Sequence, residues 1–99
     1  MVIKLLNRGT TGELFLEGRL DSAASAEVQE IFNNTAERFD NVVLDMEKME
    51  YISSAGLRLL KLLHMAMKKK NGELTLRNVN RMAMEVFEMT GFVSLLNIE

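Results

Sequence analysis

The sequence predicts an α/β fold in which a mixed β-sheet with a parallel interior is flanked by helices. Two observations support it. Short apolar segments alternate with longer segments of helical periodicity, and a turn-like cluster near the start separates two apolar runs. A hairpin followed by alternating helices and strands implies the order ββαβαβαβ, with helical crossovers between parallel strands.

The first half of the chain supplies the hairpin, one helix and a central strand. The hairpin strands are Val2 to Leu6 and Glu13 to Leu16, joined through residues 9–12, Gly-Thr-Thr-Gly. Asp21 and Ser22 offer capping oxygens for an amphipathic helix, whose apolar positions recur at helical spacing up to Phe39. The apolar, β-branched segment Asn41 to Met46 predicts a strand that is buried on both faces.

The second half supplies two helices and two strands. Residues 54–70 are rich in Leu, Met, Ala and Lys and precede Asn71-Gly72, which predicts a helix with a basic last turn. A strand is predicted over residues 73–76. Asn80 caps a third helix that ends near Gly91, and residues 93–98 form the last strand.

The composition excludes several classes of function. A chain of 99 residues predicts one domain, residues 1–99, and the net charge of -2 gives no basic footprint for nucleic acid. Without cysteine there is no thiol nucleophile, and the single histidine, His64, has no second histidine for a metal pair. We therefore predict no metal site. A phosphate-binding glycine loop and a nucleophile–base pair are also missing, so we predict no cofactor and no catalytic residues.

The sequence also bears on location. The apolar start, Met1 to Leu6, is short and interrupted by Asn7 and Arg8, unlike a signal peptide. No apolar run approaches membrane-spanning length, so we expect a cytoplasmic protein that does not insert into a membrane.

The most informative segment is DMEKMEYISSAGLRLL, residues 45–60. It leads from the predicted central strand through a loop to two serines at a helix start, with small Ala55 and Gly56 behind them. Serine hydroxyls there can accept from free backbone N–H groups, and small residues permit close approach of another surface. A phosphate on Ser53 or Ser54 would meet the positive end of the helix dipole, so the fold should tolerate it.

This segment resembles the signature of the STAS domain, which anti-sigma factor antagonists share with the cytoplasmic domains of sulfate transporters. The resemblance covers nearly the whole chain. It includes the opening hairpin, residues 18–21 (Gly-Arg-Leu-Asp), residues 42–45 (Val-Val-Leu-Asp) and residues 89–92 (Met-Thr-Gly-Phe).

The resemblance implies a mechanism called partner switching. The unphosphorylated domain binds an anti-sigma factor that is also a serine kinase; phosphorylation ends the interaction, and a metal-dependent serine phosphatase restores it. Ser54 matches the phosphorylated serine, and this chain has Ser53 where many members have Asp. The expected partner-binding residues are Asp21, Tyr51, Ser53, Ser54, Ala55, Gly56 and Arg58.

Other interpretations remain open at this stage. The chain could be a STAS accessory subunit of a membrane transporter that is never phosphorylated, or a small nucleotide-binding domain. Asp45, Glu47 and Glu50 could shape the docking surface, recruit a divalent ion or simply be solvated. Met65, Met67, Met82 and Met84 are expected to be core filler, with any exposed methionine a candidate for the interface.

Overall fold

A computed structural model describes residues 1–99. It contains five strands, three α-helices and one short 3₁₀ helix, in the predicted order. The elements are β1 (Val2–Arg8), β2 (Thr11–Leu20), α1 (Ser25–Arg38), β3 (Asn41–Ile52), α2 (Ser54–Lys69), β4 (Glu73–Arg77), α3 (Arg81–Thr90), the 3₁₀ helix (Phe92–Ser94) and β5 (Asn97–Ile98).

The strands form one sheet whose spatial order is the chain order, β1-β2-β3-β4-β5. β1 is antiparallel to β2, and every other neighbouring pair is parallel. Each parallel step is crossed by a helix: α1 joins β2 to β3, α2 joins β3 to β4, and α3 with the 3₁₀ helix joins β4 to β5. The predicted mixed sheet with a parallel interior is confirmed.

The hydrophobic core lies between one face of the sheet and the three helices. Alternate residues of β2, β3 and β4 point into it, because successive side chains of a strand face opposite sides. The sheet contributes Leu14, Leu16, Val42, Leu44, Leu74 and Leu76, and the helices contribute, among others, Val28, Phe32, Leu60, Leu63, Ala83 and Phe87. None of the helices is long and apolar enough to cross a membrane.

The opposite face of the sheet is outside this core, which corrects the expectation that β3 is buried on both faces. Val43 is only half-buried, and Phe15 is 37% exposed. Glu13 on this face is a buried charge at 2% exposure, and it is paired with Arg8 and Arg77, which lie 2.8 and 3.4 Å from its two carboxylate oxygens. A hydrogen bond from Arg77 to Glu99, aided by the charge of that carboxylate, raises the pKa of Arg77.

Several predicted boundaries are wrong. β3 does not give way to a loop after Met46 but continues to Ile52, and β2 likewise continues to Leu20. Only the last two residues of the predicted strand 93–98 pair with β4. α1 begins later than Asp21 suggests, because Asp21 Oδ1 accepts from the N–H of Ala24 and closes a turn that precedes the helix.

Candidate docking site

The candidate site lies where β2 and β3 end and α2 begins. The N–H of Ser53, directly after β3, donates to the carbonyl of Leu20, the last residue of β2, at 2.9 Å. β2 and β3 are parallel, so their carboxyl ends meet at one edge of the sheet. Parallel α/β sheets commonly bind their ligands at such edges.

Ser53 is the N-cap of α2. Its backbone is extended, and its Oγ accepts from the N–H of Gly56 at 3.1 Å. Its carbonyl accepts the first helical hydrogen bond, from Leu57. Ser53 is half-buried and its hydroxyl oxygen is engaged by the helix start, so its side chain has a structural role.

Ser54 is the first residue of α2 and is exposed to solvent. Its hydroxyl makes no hydrogen bond within the chain, in contrast to that of Ser53. It lies at the positive end of the helix dipole, where the first backbone N–H groups have no helical acceptor. A negative group on Ser54 Oγ is therefore compatible with the helix start.

Gly56 differs from the expectation that it lies on the docking surface. It is buried, and a Cβ at this position would lie 2.6 Å from the carbonyl oxygen of Leu20 and 2.7 Å from its Cγ. The absence of a side chain lets the first turn of α2 approach the end of β2. Gly56 thus sets the position of the serines, while the adjacent Ala55 remains partly exposed.

Tyr51 and Asp21 flank the serines, and Arg19, which no sequence motif identifies as a site residue, contacts both of them. The Arg19 guanidinium carbon lies 4.3 Å from the centre of the Tyr51 ring, a cation–π contact, and Arg19 Nε lies 3.5 Å from Asp21 Oδ2. Tyr51 is 41% exposed. The β2–β3 register, which pairs Arg19 with Tyr51, brings together residues far apart in the sequence.

Arg58 lies one helical turn after Ser54 and is exposed. Residues four apart on a helix are neighbours on its surface, so the guanidinium is within reach of a group carried by Ser54. Arg58 forms no salt bridge within the chain, in contrast to Arg19, and is free to bind an external anion.

The three carboxylates before the serines do not form a common site. Asp45 is 8% exposed; its oxygens accept from the N–H of Glu47 at 3.1 Å and from Asn78 Nδ2 at 2.8 Å. Glu47 and Glu50 are exposed. The structure contains no group of three or more His, Cys, Asp or Glu side chains that could hold a metal ion.

Asn80 fixes the strand that leads to the site. Its Oδ1 caps α3 by accepting from the N–H of Ala83 at 2.9 Å, which confirms the predicted cap. Its Nδ2 lies 2.8 Å from the carbonyl of Met49 and 3.3 and 3.2 Å from those of Met46 and Glu47. This second contact set was not predicted. It braces β3 beyond Arg77, where β4 has ended and only β2 still pairs with β3.

The fold and this strand–serine–helix arrangement are those of a STAS-type domain. The STAS domain family model matches residues 3–99, so the chain belongs to the STAS domain family. A relative from Bordetella bronchiseptica, the candidate anti-sigma factor antagonist BtrV, is 34% identical over 84 residues, which cover 84% of this chain and 72% of the relative.

Solved structures with low sequence identity share the fold. The unphosphorylated anti-sigma factor antagonist SpoIIAA superimposes with a TM-score of 0.78 at 16% identity, covering 99% of this chain and 87% of that one. Phosphorylated SpoIIAA from Bacillus gives 0.77 at 17% identity, with 99% and 91% covered. A candidate antagonist from Thermotoga maritima gives 0.89 at 14% identity, with 97% and 84% covered.

Proposed function

We propose that this protein is an anti-sigma factor antagonist that regulates transcription by partner switching. In its unphosphorylated state it binds an anti-sigma factor that is also a serine kinase, and the bound sigma factor is released. The kinase then transfers the γ-phosphoryl group of ATP to Ser54 Oγ, which ends the interaction. A metal-dependent serine phosphatase hydrolyses the phosphoserine and restores binding. The chain itself catalyses neither reaction.

The observation that carries the proposal is the division of roles between the two serines. Ser53 is half-buried and its oxygen caps α2, whereas Ser54 is exposed and its hydroxyl is free. A kinase can reach Ser54 without opening the helix start. The phosphate would add about -1.5 to -2 charge at the positive end of the helix dipole, so it changes the surface and not the fold.

The docking surface in this proposal consists of the exposed residues around Ser54. Tyr51 and Arg58 are exposed, while Asp21, Ser53 and Ala55 are partly exposed. Arg19 joins them, because it stacks on Tyr51. Aromatic and arginine side chains dominate the energetics of many interfaces, and both are present here next to the serine that would be modified.

A pull-down from native lysate tests the proposal. Wild-type protein, Ser54→Asp and Ser53→Asp are used as baits, the bound proteins are identified by mass spectrometry, and phosphate is mapped on recovered wild type. We expect wild type and Ser53→Asp to retain an ATP-binding kinase-like protein that Ser54→Asp loses, with phosphate on Ser54. Ser53→Asp is the matched control, because it adds the same charge next to Ser54 and Asp also caps helices.

Two results would contradict the proposal. Phosphate found on Ser53 and not on Ser54 would reverse the assigned roles of the serines. A transporter subunit held equally by all three baits, without phosphate, would show a structural role in transport.

A further inference from the structure

One face of α2 extends the surface around Ser54 along the whole helix. Five exposed residues follow each other along α2 at spacings of four, three, four and four positions: Ser54, Arg58, Lys61, Met65 and Lys69. This spacing places them on one side of the helix. At 1.5 Å per residue the row is about 22 Å long. We call these residues, with Leu62, the basic face of α2.

The charge of this face has one sign. α2 contains no Asp or Glu, and its Arg58, Lys61 and Lys69 form no salt bridge with the rest of the chain. A surface depression of about 800 Å³ along the helix has no acidic side chain in its lining. It is lined by Lys61, Leu62, His64, Met65, Ala66, Lys68, Lys69 and Leu95. Surface cations are usually interspersed with carboxylates. The face is therefore complementary to an acidic surface.

Exposed apolar side chains lie between these cations. Leu62 is 40% exposed, Met65 52% and Leu95 38%. Met65 was expected to be core filler, and its exposure corrects that expectation. Cations that border exposed apolar side chains are complementary to an amphipathic helix. Its apolar side chains would pack on the apolar ones here, and carboxylates at its margins would pair with the cations.

We propose that the basic face of α2 binds an acidic amphipathic helix of the same kinase-like partner that binds around Ser54. The inference rests on the proposed function and deepens it, since it assigns the chemistry of the partner segment. It also explains the effect of the phosphate. A phosphate on Ser54 lies one turn from Arg58 and puts negative charge at the end of the row, where it repels an acidic partner and competes for Arg58.

Other occupants fit the face less well. A second copy would have to present its exposed carboxylates on α1, but the exposed side chains of that helix are polar or charged apart from Ala26, so it offers no apolar strip to cover Leu62 and Met65. On an anionic membrane, the face would offer only three exposed apolar side chains, which are too few to insert into the bilayer. The protein would then be held there by charge alone.

Site-specific photo-crosslinking tests the inference. The photo-reactive residue p-benzoylphenylalanine replaces Met65 in the basic face, Tyr51 at the serine site, or Leu6, which is 42% exposed and pairs with Glu13 near the start of β2, away from the site. We expect the Met65 and Tyr51 positions to crosslink to the same kinase-like protein, and the peptide joined at position 65 to be an acidic amphipathic segment. Position 6 should give no such product.

The outcomes separate the inference from the proposed function. A kinase crosslinked from position 51 but not from 65 would overturn the inference and leave the proposed function standing. If neither position reaches a kinase, both fail. Products at position 65 that contain only a second copy, or protein that sediments with phosphatidylserine vesicles through this face, would also overturn it.

Charge reversal gives a quantitative check with the purified partner. Lys61→Glu with Lys69→Glu should weaken binding about tenfold at low ionic strength, and the loss should shrink as salt is added. Lys4→Glu with Lys48→Glu changes the net charge equally, and both lysines border a groove on the opposite face of the sheet. We expect this control to bind like wild type; equal losses in the two variants would refute a specific basic face.

Discussion

Gly56 lies directly against Leu20, closer than any side chain at position 56 would allow. A Cβ there would be 2.6 Å from the Leu20 carbonyl oxygen, the same oxygen that accepts from the N–H of Ser53. The Leu20 carbonyl thus accepts a hydrogen bond from the residue that follows β3, and it also limits how closely α2 can approach β2. The position of the two serines depends on this contact.

Gly56→Ala should therefore destabilise the fold. The added methyl group must displace the first turn of α2, and overpacking of this kind costs about 1–3 kcal/mol, more than the helix propensity of Ala returns. The free energy of unfolding from urea titration measures the effect. Ser54→Ala is the control and should change the stability by less than about 0.5 kcal/mol. A Gly56→Ala protein as stable as wild type would show that the contact is not limiting.

Because Ser53 is the N-cap of α2 and Ser54 is not, replacing the two serines should affect the stability of the protein differently. Ser53→Ala removes the acceptor for the Gly56 N–H and should cost about 1 kcal/mol, whereas Ser53→Asp keeps a capping oxygen and should be close to wild type. Thermal and urea unfolding of the two variants measure the difference. Equal losses for Ser53→Ala and Ser54→Ala would contradict the assignment of Ser53 as the cap.

Asn80 has two separable roles, and two variants distinguish them. Asn80→Ala loses the cap of α3 and the donor to the β3 carbonyls, and should cost about 2–3 kcal/mol. Asn80→Asp keeps the cap but loses the donor. It should be the milder variant in unfolding, yet amides of residues 49–52 should exchange faster than in wild type. Unchanged exchange in Asn80→Asp would show that the donor does not brace β3.

The stacked pair of Arg19 and Tyr51 should contribute to partner binding. Replacing an arginine or tyrosine at the centre of an interface commonly costs more than 1 kcal/mol, so Tyr51→Ala should weaken binding of the purified partner about tenfold, and Arg19→Ala should weaken it in the same direction. Calorimetric titration measures both. Lys48→Ala serves as the control on the same pair of strands. If Tyr51→Ala binds like wild type, this pair lies outside the interface.

The order of the elements could be predicted from the sequence because local patterns determine it. Apolar runs, capping residues and the glycine after α3 each identify an element without reference to the rest of the chain. The ends of β2 and β3 could not be predicted in this way. Residues 47–50 contain three charges and resemble a loop, but in the sheet Met49 and Ile52 point into the core while Glu47 and Lys48 face solvent.

The same distinction applies to the candidate site. Ser53, Ser54 and Arg58 are close in sequence, so the helix start and its spacing predict their arrangement. Arg19 reaches Tyr51 only through the β2–β3 register, which is shifted between Gly18 and Arg19. Gly56 appeared to belong to the surface because small residues suit close contacts, and only the packing shows that the contact is internal, with Leu20.

The free hydroxyl of Ser54 has a consequence for the cell. Since its replacement by Ala should leave the protein as stable as wild type, chaperones and proteases, which act on unfolded chains, would not remove it. Under the proposed mechanism, such a variant would persist at normal abundance and could never be switched off. Loss of regulation at this position would therefore act as a dominant trait, whereas damage at Gly56 or Asn80 would lower the amount of protein and be recessive.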